Sequence, residues 1–154
     1  MCAKNIKKCP RCGQVVKTYR NPVPTVDIII EKNNKICLIE RKNPPHGWAI
    51  PGGFVDYGED VESAAVREAF EETGLSVRLI HLLGVYSNPD RDSRLHTVST
   101  VFIAAVSDDK DPIAGDDAAS AEWISKNNLP HSMAFDHKKI IDDYFKFKKS
   151  GVEE

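Results

Sequence analysis

Residues 60–74 read Asp-Val-Glu-Ser-Ala-Ala-Val-Arg-Glu-Ala-Phe-Glu-Glu-Thr-Gly, and no other stretch constrains the fold as tightly. Asp60 suits the N-cap of a helix and Gly74 the left-handed position that ends one, which predicts a helix to about Thr73. Ala64, Ala65 and Ala69 give that helix a small-residue face, suited to lying close against a sheet. Glu68, Glu71 and Glu72 fall at i, i+3 and i+4, so neighbouring carboxylates share one face. Like charges at that spacing weaken an isolated helix. A solvated acidic face is the ordinary meaning of such a cluster, but it leaves Gly53, Gly58, Glu59 and Arg67 without a reason. A hard divalent cation among oxygen ligands gives them one.

The flanking sequence supplies the sheet. Residues 23–30 are rich in β-branched side chains and predict a strand; residues 31–34 turn into a second strand over 35–40. A loop holding Pro44, Pro45 and Gly47 leads to the short apolar piece 48–50, and Pro51-Gly52-Gly53 then reads as a break. Strands are expected over 77–87, 96–106 and 121–124, and an amphipathic helix over 134–149. A turn-rich loop spans 88–94 and an acidic one 107–117. Strands and helices mix without strict alternation, which predicts an α/β domain with a mixed sheet and helices on its faces. A chain of 154 residues suffices for one well-cored domain. That domain is assigned to residues 21–154, behind an N-terminal segment, 1–20, that carries a Cys-x-x-Cys turn.

A net charge of −2 argues against general affinity for nucleic acid or an anionic membrane surface. No segment approaches the roughly 18 unbroken apolar residues of a membrane span. The first residues carry lysines with no apolar run behind them, unlike a secretory signal, so a cytoplasmic location is expected.

Residues 53–75 match G-x5-E-x7-R-E-U-x-E-E-x-G-U, where U is aliphatic, at every fixed position: Gly53, Glu59, Arg67, Glu68, Glu71, Glu72 and Gly74. Ala69 is small where a bulkier aliphatic is usual, a departure that touches packing and not chemistry. On these residues the chain resembles the Nudix hydrolases, and the Ala49-Ile-Pro-Gly-Gly53 lead-in extends the likeness. The resemblance implies the Nudix fold, a mixed β-sheet sandwiched between α-helices. It implies Mg²⁺ or Mn²⁺ held by Glu68, Glu71 and Glu72 with Gly53, and catalysis through Arg67, Glu71 and Glu72. Arg67 stands four residues before Glu71 and can pair with it, orienting that carboxylate. Glu59 either braces the loop, shares an outer metal contact or simply faces water. Gly52 and Gly53 let the backbone approach a ligand with no Cβ in the way.

A cation site of this kind suits hydrolysis of a diphosphate linkage, because it neutralises phosphoryl charge and lowers the pKa of a bound water. A further acid is needed to take a proton, and the late loop offers Asp116 and Asp117 with Glu122 beyond; Asp117 and Glu122 are the candidates. The leaving group must be chosen outside the box. Pro89, in the run from Gly84 to His96, matches a proline that ADP-ribose pyrophosphatases of the family tend to carry past the box, although turn prolines are common. Arg91, Arg94 and His96 either reach ribose or phosphate oxygens or only pair with Asp90 and Asp92. ADP-ribose, cleaved to AMP and ribose 5-phosphate, is the first choice. The rivals are a nucleoside triphosphate or oxidised-nucleotide pyrophosphohydrolase and a regulator that binds ADP-ribose without turnover. The expected partner is a small nucleotide; a homodimer rests on the resemblance alone.

Cys9-Pro-Arg-Cys12-Gly13 has half a zinc knuckle's spacing, with Cys2 and Cys37 the only other thiols. Zinc would need those two, or a second copy of the turn across a dimer axis, to complete about four ligands.

Overall fold

A computed structural model describes residues 6–17, 20–107, 109–115 and 117–151. Strands β1 (Ile6–Lys8) and β2 (Val15–Lys17) pair antiparallel as a separate two-stranded hairpin. Its turn carries Cys9 and Cys12 and is closed by Cys9 N–H to the Gln14 carbonyl at 2.8 Å and Gly13 N–H to the Cys9 carbonyl at 2.9 Å.

The main sheet begins with β3 (Val23–Lys32) and β4 (Lys35–Arg41), joined through Asn33 and Asn34 at φ 50° and 61°. Two consecutive positive φ values are what a tight hairpin turn matching strand twist demands, and asparagine tolerates them. The two strands pair only beside that turn, at Glu31 with Ile36 and Lys32 with Lys35. Beyond it they diverge. The edge of β3 is taken by β6 (Gly52–Phe54) at Thr25 to Asp27, while β4 pairs with β5 (Gly47–Ala49) and, along its whole length, with β9 (Ala118–Ser125). On its other side β3 runs parallel to β8 (Thr97–Val106), which pairs antiparallel with β7 (Val77–Tyr86). One parallel pair among antiparallel ones makes the sheet mixed, as expected.

Along β3 the period of two sends Val26, Ile28 and Ile30 to one face and Ile29 to the other. The first face is covered by α1 (Val61–Thr73), whose Ala64, Ala65 and Ala69 are fully enclosed. The second is covered by α2 (His137–Lys149) through Ile140, Ile141 and Tyr144. The sheet therefore lies between two helices, as the sequence predicts.

Three expectations are corrected. Pro51-Gly52-Gly53 does not only break the chain, since Gly52 and Gly53 open strand β6. The C-terminal helix starts at His137, because Phe135 takes a left-handed φ of 55° that no helix continues through. Register with β4 lengthens the short strand expected over 121–124 at both ends.

Cys37 lies buried under α1, and burial pushes its thiol pKa up to about 12. It is enclosed in the core, away from solvent, and Cys2 lies outside the described residues. Cys9 and Cys12 are then the solvent-accessible thiols among the described residues, half of what a closed zinc site requires. No helix among the described residues is long and apolar enough to cross a membrane.

Candidate active site

Helix α1 is held at both ends by its own sequence. The Asp60 carboxylate accepts from Ser63 N–H at 2.7 Å and Ser63 Oγ at 3.0 Å, and Gly74 closes the last turn at φ 66°. The alanine face seats the helix close to the sheet, and at the first two positions of β6 neither the helix nor the neighbouring β3 leaves room for a side chain. A Cβ on Gly53 would overlap the Glu68 carboxylate, and one on Gly52 the Val26 carbonyl. The same closeness lets Gly52 N–H donate to Glu72 Oε2 at 2.8 Å. Gly115, which the sequence reading passed over, approaches α1 from the far loop, where a Cβ would meet the Glu71 carbonyl.

Arg67 organises the acids. Its Nε and Nη2 grip Glu59 at 2.9 and 2.8 Å, its Nη1 bridges Glu68 at 2.8 Å and Glu71 at 3.1 Å, and Nη2 also reaches the Phe54 carbonyl at 3.0 Å. The Arg67–Glu71 pair is thus present, but the two-pronged partner is Glu59. Arg67, with help from the Asp56 N–H, holds the Glu59 carboxyl down at about 2. Glu59 therefore braces the loop, the first of its three readings.

Burial raises the pKa of Glu68, against the pull of Arg67. It raises Glu72 further, to about 7, although the Gly52 N–H opposes the rise. Glu71 is exposed. The half-buried Glu68 and Glu72 with the exposed Glu71, above the Gly52-Gly53 backbone, form an all-oxygen donor set that fits a hard divalent cation. Among the described residues no three such side chains already close into a cage; Glu68 and Glu71 share Arg67 Nη1 instead.

These acids line one wall of a cleft of about 480 Å³ that opens where β3 and β4 part. Gly52, Gly53, Glu68, Glu71, Glu72, Arg91, Arg94 and Asp117 all line it. Asp117 accepts from Asn43 Nδ2 at 3.1 Å; Asp116 lies outside the described residues.

Two candidates stand elsewhere. Glu122 pairs in register with Leu38, whose side chain belongs to the core face under α2, so it is carried to the sheet face opposite α1. His96 is exposed and turns its Nε2 to the Ser87 carbonyl at 3.2 Å. Arg91 lines the cleft but is committed to protein: it donates to Asp136 at 3.2 and 2.8 Å, to Asp27 at 3.1 Å and to Thr97 Oγ1 at 3.0 Å. Arg94 holds Asp92 at 3.0 and 2.8 Å. Among the described residues neither arginine bonds Asp90, and the Asp92 carboxylate is held by Arg94.

The cleft also holds residues the sequence reading missed. Asp27, nearly buried in β3, accepts from Ser99 Oγ at 2.5 Å and faces His137 Nε2 at 3.3 Å. His137 Nδ1 accepts from Ile50 N–H at 2.9 Å, which leaves the ring proton on Nε2, toward Asp27. Thr25 Oγ1 is buried in the cleft wall without a partner among the described residues. Arg41 and Phe135 complete the rim. The signal for Asp27 was available: one acid inside a run of strand-forming apolar residues.

A family model described as the NUDIX domain matches residues 21–144. An ADP-ribose pyrophosphatase from Methanocaldococcus jannaschii is 55% identical over 134 residues, covering 86% of this chain and 78% of the relative. A protein named as a putative 8-oxo-dGTP diphosphatase from Bacillus subtilis is 34% identical over 127 residues, covering 82% and 79%. Among solved structures, a MutT/nudix family protein from Enterococcus faecalis superposes with a TM-score of 0.80 at 31% identity, covering 92% of this chain and 67% of that one. The signature residues gathered around Arg67, the helix–sheet–helix architecture and a family match over most of the length agree, and the chain belongs to the Nudix hydrolase family.

Proposed function

We propose that the chain hydrolyses the diphosphate linkage of ADP-ribose, giving AMP and ribose 5-phosphate, with Mg²⁺ or Mn²⁺ as its cation. The reading is carried by Glu68 and Glu71, bridged by Arg67, and Glu72, held by Gly52 N–H, on one cleft wall, in a chain more similar to an ADP-ribose pyrophosphatase than to the 8-oxo-dGTP diphosphatase relative. Nudix hydrolases use divalent metal ions, and here Glu68, Glu71 and Glu72 would hold one with the Gly53 backbone. When bound, it would neutralise phosphoryl charge and lower the pKa of the attacking water.

The chain's own groups do the rest. Glu59 holds Arg67, and Arg67 in turn orients the Glu68 and Glu71 carboxylates on the cleft wall. Asp117, which lines the cleft and accepts from Asn43, would take the proton from water.

A panel of ADP-ribose, NADH, nucleotide sugars, dinucleoside polyphosphates and dNTPs, each with Mg²⁺, tests the proposal. ADP-ribose is expected to give the highest kcat/KM, with AMP as product. A preference for dNTPs would select the triphosphate rival, and binding of ADP-ribose with no cleavage would select the regulator.

A further inference from the structure

Building on that reading, we propose that Arg41 and Arg94, set around the Phe135 ring, form an anion-binding wall for the second phosphoryl group of the substrate. A diphosphate brings two anionic phosphoryl groups into the cleft, and the cation that Glu68, Glu71 and Glu72 would hold would serve one of them. The other needs a positive partner that the protein has not already spent.

Three arginines line the cleft, and they differ in what they have left. Arg91 is bound to Asp136, Asp27 and Thr97. Arg94 gives its Nε and Nη2 to Asp92 and keeps Nη1. Arg41 gives only its Nε, to the Pro45 carbonyl at 2.9 Å, and both terminal nitrogens lack an acceptor among the described residues. Those nitrogens are the free prongs of a planar fork that suits phosphate oxygens.

The two guanidinium groups share one ring: the Arg41 and Arg94 carbons lie 5.0 and 5.3 Å from the Phe135 centroid. Burial first, and then the neighbouring Arg94 charge, hold the Arg41 pKa below its ordinary range. Like charges kept side by side in a partly buried cleft favour an anion between them. The ring is not there by accident of a loose loop. Phe135 sits at φ 55°, a costly backbone state for an aromatic residue, and its neighbours enforce it. Ala134 N–H donates to the Trp48 carbonyl at 2.8 Å, Trp48 N–H to the Ser132 carbonyl at 3.0 Å, and α2 begins two residues later.

In the reaction, water oxygen bonds to one phosphorus and the bond from that phosphorus to the bridging oxygen breaks. The bridging oxygen leaves with the electron pair on the other phosphate, and the water proton passes to a base. Charge grows on the departing phosphate, where preorganised guanidinium donors stabilise it.

The test uses the full chain and the variants Arg41→Gln, Arg41→Lys and Arg94→Gln, with Arg78→Gln on the exposed face of β7 as control. Inorganic pyrophosphate is titrated calorimetrically without added metal, and kcat and KM are measured on ADP-ribose with Mg²⁺. Arg41→Gln should weaken pyrophosphate binding and lower kcat/KM by about 10- to 100-fold, as expected for one or two lost charge-assisted hydrogen bonds. Arg41→Lys should regain part of the binding and little of kcat, and Arg94→Gln should show the smaller loss. Wild-type affinity and turnover in Arg41→Gln would overturn the wall, as would wild-type protein that does not bind pyrophosphate. Should Arg41→Gln fail to fold by circular dichroism, Arg41→Lys decides: kcat equal to wild type overturns the wall. If wild type cleaves no ADP-ribose yet Arg41→Gln still loses pyrophosphate, the substrate reading fails and the wall stands.

Discussion

Glu72 shows how much of a residue's role the sequence carries. Its place at i+4 from Glu68 was legible, and so was the need for a cation. Its pKa near 7 was not, because that comes from enclosure between α1 and β6. Below that value Glu72 holds a proton that a cation must displace; above it the carboxylate is free and, without a cation, buried and charged. The metal-free protein should therefore lose stability as pH rises through 7, and Mg²⁺ should raise Tm more at pH 8 than at pH 6. Thermal scans at both pH values check this, and Glu72→Gln should flatten the difference. Gly53 is equally local. Gly53→Ala puts a Cβ into the Glu68 carboxylate and should cost about 1–3 kcal/mol of stability, read by urea unfolding, with a loss of activity.

Helix α1 was readable almost to the residue, because its cap, its alanine face and its terminal glycine are local signals. Gly74→Ala tests the last of these. Nothing crowds a Cβ there, the nearest atom being 3.8 Å away, so the cost is the left-handed backbone alone, about 1 kcal/mol. A drop of several degrees in Tm with unchanged KM is the expected result. Strand β6 was not readable. Pro-Gly-Gly carries every local mark of a turn, and only the partner strand β3 on one side and α1 above turn those glycines into a requirement. The position of Glu122, away from the cleft lining, was hidden for a related reason: which face of β9 it occupies depends on register with β4.

Across the whole molecule, Arg91, Asp27, Asp136 and His137 tie the 88–94 loop, the central strand and the start of α2 into one buried network. Partners 64 and 45 positions away have no local pattern to announce them, so the sequence offered Arg91 either substrate oxygens or the neighbouring Asp90 and Asp92, whereas most of its donors are spent on Asp27 and Asp136. Arg91→Met should cost about 3–5 kcal/mol, because it strips the Asp136 carboxylate of its guanidinium partner and leaves the buried Asp27 to Ser99 and His137. Burial pushes the Asp27 pKa up, but His137, Arg91 and Ser99 together hold it below 3.8. Its contribution is therefore present above about pH 4 and fades as pH falls further. Asp27→Asn should accordingly make the acid limb of stability less steep. That the glutamates of α1 serve cleavage of a diphosphate is tested by incubating wild type and Glu72→Gln with ADP-ribose and Mg²⁺ and following AMP by chromatography. Wild type should release AMP and ribose 5-phosphate in equal amounts while the folded variant is slower by orders of magnitude; equal rates, or no AMP from wild type, would contradict it.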